Sequence, residues 1–188
     1  SSSKFAKKAE EAGCDAVVAE GFEAGGHNGR EETTTFVLLP LVRQAVSIPV
    51  LGAGGIATGR QMLAAMVLGA DGVQVGSRFV ASEEASVHNN FKKAVLDATE
   101  GSTLLSLKQV VPVRLMKNRF FREVEEAEKR GADVQELATL LGRGRAKKGM
   151  FEGDIENGEL EIGQVSAMLH DILPAGKIVE QMWKEYLE

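Results

Sequence analysis

Short apolar runs alternate along the first half of the chain with longer stretches whose apolar residues recur at helical spacing. Lys4 to Ala12 reads as the end of a helix stopped by Gly13. Ala16–Ala19, Ile48–Leu51 and Gly72–Val75 are apolar over a few residues only, as strands buried on both faces would be. Between them, Thr33–Val46 and Thr58–Leu68 carry the period of helices. Pro40 predicts a late start or a kink in the first, and Thr58 is a cap for the second, whose face is lined by Met62, Ala65 and Met66. Glu83–Ala98 is a further predicted helix. Strands and helices alternating at this interval imply parallel βα units.

Beyond Gly101 the texture changes. Arg119–Arg130 alternates in charge and predicts a solvated helix, and Val134–Leu141 predicts a short one. Gly142–Gly149 is basic, punctuated by glycine, and reads as a mobile solvated loop. Helices are expected over Leu160–Leu173 and Ala175–Leu187, divided at Pro174. Residues 4–100 are thus expected to form the βα part of the protein and residues 101–188 a helical segment packing on or over it. Three predicted strands are too few for a closed βα barrel, and the first helix begins with nothing before it to pack against. The expectation is therefore the C-terminal part of a larger protein.

The net charge of −5 disfavours a general role on nucleic acid, and no stretch approaches the length of a membrane span. A single cysteine, Cys14, excludes an internal disulfide and fits a reduced, cytoplasmic setting; it is expected to be a buried structural thiol. His88 and His170 have no metal-ligand partner at useful spacing, and no metal site is expected.

The candidate chemistry lies where the apolar runs end. Each finishes in small residues: Glu20-Gly-Phe-Glu-Ala-Gly-Gly-His27, Gly52-Ala-Gly-Gly-Ile56 and Val75-Gly-Ser77. Small residues at three successive strand ends expose backbone N–H groups, which suit a phosphate and a flat ring. Gly52–Gly59 imitates a dinucleotide fingerprint, yet a doubly wound sheet concentrates its phosphate contacts on one such turn. Glycine corners at several strands instead match the rim of a TIM (β/α)8 barrel, where the last loops hold a phosphate, and the chain would supply about the last three βα units. His27 stands beside the first corner as a candidate acid–base group.

These stretches carry a resemblance. Residues 19–27, 48–56 and 69–79, with the tail segments Gly153–Gln164 and Ile172–Glu180, resemble the flavin-dependent superfamily of nitronate monooxygenases and flavin-type enoyl-acyl-carrier-protein reductases, and are more similar to the reductase (FabK-like) branch. The resemblance implies non-covalent FMN, reduced by NADH or NADPH, in a TIM barrel. Ala53, Gly54 and Gly55 would approach the flavin phosphate from one loop, and Gly76 and Ser77 from the next. Glu20, Ala24, Gly25 and Gly26 would run beside the ribityl chain and ring, and His27 matches the active-site histidine. The implied activity is reduction of an enoyl thioester carried on acyl carrier protein, in a homodimer. Nitronate oxidation is the alternative, and an inactive, self-associating fragment lacking flavin is a third expectation.

Overall fold

The computed structural model describes residues 2–188. In chain order its elements are α1 (Ser3–Glu11), β1 (Val17–Glu20), β2 (Gly26–His27), α2 (Thr35–Ala45), β3 (Val50–Ala53), α3 (Gly59–Val67), β4 (Gly72–Gln74), α4 (Ser77–Val80), α5 (Asn89–Leu96), β5 (Thr103–Ser106), β6 (Val113–Met116), α6 (Arg119–Lys129), α7 (Val134–Leu141) and α8 (Ala175–Leu187). β1, β3 and β4 form a parallel sheet in the order β1-β3-β4, with Val17 opposite Val50 and Leu51 opposite Gly72. Because all three strands run the same way, their C-terminal ends and the loops that follow fall on one side of the sheet.

Helix boundaries follow side-chain chemistry. Thr58 accepts the Gln61 N–H at 3.2 Å while Gln61 accepts the Thr58 N–H at 3.1 Å, closing a capping box at the start of α3. Asn118 and Asp133 cap α6 and α7 by accepting the N–H of Phe121 and of Glu136. α2 continues through Pro40 and starts at Thr35. Its Leu38, Leu39 and Val42 bury against Val17, Ala19 and Val50, a core completed by Ile178 and Met182 of α8. A second core surrounds Phe91 and Val95 with Leu160 and Ile162, and a third gathers Phe120, Phe121, Val124 and Leu137. Among the described residues, no helix is long and apolar enough to cross a membrane.

The second half departs from expectation. Residues 101–188 are not wholly helical: β5 and β6 form an antiparallel pair, and β6 also takes β2, with Arg114 opposite Gly26 and Val113 opposite His27. The first loop of the βα part is therefore stitched into the sheet of the second half. Residues 160–173 are not a helix either. They run extended through Leu160, whose carbonyl accepts the Met116 N–H at 2.8 Å, and then make only a short 3-10 turn at Gln164–Met168. The helix expected from Glu83 begins at Asn89, where His88 accepts the Asn90 N–H and acts as its cap. Glu83 instead donates its N–H to Leu173, tying the preceding loop to the tail.

Two further expectations need correction. Cys14 is exposed, because Gly13 swings the chain out of α1 at φ +90° before β1 begins. The basic stretch 142–149 is not simply a solvated loop. Arg145 turns inward, lies 4.5 Å over the Phe120 ring, and donates to the carbonyls of Leu140, Leu141 and Asn157.

Candidate functional site

The corners after β1, β3 and β4 converge on one cleft of about 220 Å³. Glu20, Ala24 and Gly25 line it from the first corner, Ala53, Gly54 and Gly55 from the second, and Gly76 and Ser77 from the third. The chain reverses at the second corner with Gly54 at φ +83° and Gly55 at φ +70°, and a side chain on Gly54 would stand 2.6 Å from the Gly21 carbonyl oxygen. Only glycine allows this backbone to pass so close. Over Gly76, by contrast, no atom lies within 4 Å of where a side chain would begin, so that face of the corner is open space. The N–H groups of Gly54, Gly55, Gly76 and Ser77 donate to no protein acceptor among the described residues. Backbone donors left bare around an open concavity suit an anionic oxygen cluster such as a phosphate.

Ser77 has a second duty. Its Oγ accepts the Gly163 N–H at 2.9 Å, which ties the third corner to the tail. Glu23 is occupied as well: its carboxylate accepts the Thr35 N–H at 3.0 Å and caps α2 from the loop. The Thr35 hydroxyl lies 2.8 Å from the Gly54 carbonyl oxygen, so the capped helix end also braces the second corner. Behind the loop, Arg114 is 1% exposed and donates from Nη2 (2.7 Å) and Nε (3.1 Å) to the Phe22 carbonyl, with its guanidinium 5.0 Å over the Phe22 ring. Burial lowers the pKa of this guanidinium from its usual value. Its hydrogen bonds fix the backbone that leads into Ala24–His27.

Gly26 and His27 do not line the cleft. Gly26 is buried, with the Glu161 carboxylate directly over its Cα; His27 is exposed on β2, near enough to that carboxylate to act on its charge.

The far wall comes from the tail and was not anticipated. Glu161, Ile162 and Gly163 face the three corners. They pack so tightly that a side chain on Gly25 would run into the Ile162 backbone, and one on Gly163 would stand 2.8 Å from Ser77 Oγ. The signal was present in Glu159-Leu-Glu-Ile162, an alternation of acid and apolar residues with the period of a strand. Leu160 and Ile162 bury in the second core, while Glu161 bridges to Leu115 beside β6.

The cleft is acidic. Burial pushes the Glu20 carboxyl up from the usual carboxylate range. Glu161 is also raised by burial, partly offset by the neighbouring His27. Glu159, only 7% exposed, is pushed up to about 7 by burial and then by the Glu161 charge, with Arg145 pulling the other way. Among the described residues, no group of three or more metal-ligating side chains clusters.

Residues 1–185 match the nitronate monooxygenase family. A curated nitronate monooxygenase of Paraburkholderia phytofirmans is 31% identical over 188 residues, covering 96% of this chain and 51% of its own length. FabK from Thermotoga maritima superimposes with a TM-score of 0.93 at 40% identity, over 100% of this chain and 59% of that one. Nitroalkane oxidase from Streptomyces ansochromogenes gives 0.80 at 36% identity, over 99% of this chain and 55% of that one. The chain thus spans about half the length of the curated relatives it matches.

Proposed function

The chain belongs to the nitronate monooxygenase family, and on that premise we propose that it is part of an FMN-dependent enoyl-acyl-carrier-protein reductase driven by NADH or NADPH. The observation that carries the reading is the cleft where three glycine corners present unpaired amides. The higher TM-score and identity to FabK than to nitroalkane oxidase supports the reductase branch.

The residues fit the cofactor. Gly54, Gly55, Gly76 and Ser77 would hold the FMN phosphate, and Glu20, Ala24 and Gly25 would border the rest of it. When bound, the flavin supplies a hydride. The chain's own work is placement and charge. Glycine amides fix the anion without bringing a counter-charge, and Ile162 and Val165 shield it from water. His27, exposed beside the cleft, donates a hydrogen bond from its imidazole N–H to the thioester carbonyl oxygen as negative charge gathers there.

A second reading, oxidation of nitronates, is favoured by the name of the curated relative. In it, His27 would orient the nitronate. One assay on the intact full-length protein separates the two. The proposal expects a crotonyl thioester to be consumed only when NADH or NADPH is present. Oxygen uptake with a nitronate, without any nucleotide and with no thioester loss, would transfer the assignment to the second reading.

A further inference from the structure

The described cleft is walled on its tail side by one carboxyl with another behind it. Glu161 lines the cleft. Glu159 lies two residues back on the same extended segment, which is held against β6 by the Met116 N–H···O=C Leu160 bond and the Leu115–Glu161 bridge. Two residues apart on an extended strand, the two side chains leave on the same face. Glu159 is 7% exposed, and its carboxyl oxygens accept no hydrogen bond from any described residue. With only a sliver of solvent contact and no donor, the carboxylate is disfavoured relative to the neutral acid. Around the pair stand His27 from β2, Glu20 and Glu23 from the first corner, Arg114 from β6, and Arg145 behind Glu159.

We propose that Glu161, backed by Glu159, is the acid that delivers the proton to the α-carbon of the reduced thioester. This rests on the reductase reading. A thioester that has received a hydride at its β-carbon is an enolate whose electron pair must gain a proton at the α-carbon. That pair takes the proton of the Glu161 carboxylic acid: the α-C–H bond forms, the O–H bond breaks, and Glu161 is left as carboxylate. Glu159 then passes its own proton to Glu161 and regains one from solvent. His27 keeps its hydrogen bond to the thioester oxygen throughout, so the two groups divide the work: one holds the charge, the other ends it. Burial raises both carboxyls above the usual carboxylate range, and Glu159, pushed up to about 7, keeps a proton within reach of Glu161.

The test is reduction of a crotonyl thioester in deuterated buffer by the full-length holoenzyme and its E161Q and E161D variants. Wild type should place the α-deuterium on one face only. E161Q should lose kcat by about tenfold or more with KM little changed, since positioned general acids contribute on the order of 10²–10⁴. Its residual product should be scrambled at the α-carbon, because water then protonates from either side. E161D, which keeps the acid, should recover part of the rate and the single face. A measurement that needs no turnover accompanies it: the infrared band of a protonated carboxyl at neutral pH should be present in wild type and diminished in E159Q. An E161Q enzyme with wild-type rate and unscrambled product overturns the assignment of Glu161 alone. A wild-type enzyme that reduces no thioester overturns the reductase reading, and this inference with it.

Discussion

Glu159 sets a pH signature for the whole fold. Its pKa is about 7 in the folded chain against an ordinary 4.5. The folded state therefore binds more protons than the unfolded chain between those values, and stability falls as pH rises through that window. E159Q removes the titration. Relative to wild type, the variant should gain on the order of 3 kcal/mol at about pH 8 compared with about pH 4, as read by urea unfolding at both. A constant difference across the window would show that Glu159 ionises as freely as an exposed carboxyl. At this scale the glycines of the three corners were legible because a backbone turned through positive φ, or approached by another chain segment, leaves its mark as a residue type. Arg114 and the Glu159–Glu161 pair were not legible. A buried guanidinium or carboxyl looks in sequence like a solvated one, and only the packing of β6 against the tail reveals the difference.

Helices could be placed from the sequence more readily than strands. α3, α6 and α7 announce themselves through Thr58, Asn118 and Asp133, whose side chains meet backbone N–H groups within one turn. β5 and β6 span four residues each and alternate weakly, so their identity is decided by partners far along the chain. The same holds for β2, two residues long and defined by β6 alone. Asn118 joins the two kinds of information. Its Oδ1 accepts the Phe121 N–H at 2.9 Å, while its Nδ2 donates at 2.8 Å to the carbonyls of both Ile155 and Gly158, the turn that leads into the cleft's tail wall. N118A should cost about 2 kcal/mol, a drop of about 4–8 °C in Tm by calorimetry. A Tm within a degree of wild type would show that the turn holds without it.

For the molecule as a whole, the parallel order β1-β3-β4 brings three corners distant in sequence to one rim, and the antiparallel order β2-β6-β5 brings the tail across to face them. The first half of that arrangement follows from alternating strands and helices. The second does not, because nothing local in residues 101–188 states that β6 will capture the first loop. In the proposed function the corners hold a phosphate through bare amides, and Gly76 offers a clean probe of that role. Its φ of −102° suits any residue, and open space lies above it, so G76V should fold normally while filling the cradle. The decisive measurement is the affinity of the full-length apoprotein and of G76V for FMN and for riboflavin, which lacks the phosphate. Wild type should prefer FMN by about tenfold or more, since a charge-assisted set of hydrogen bonds is worth about 1.4 kcal/mol or more, and G76V should lose most of that preference. Equal affinity of wild type for the two flavins would contradict that role.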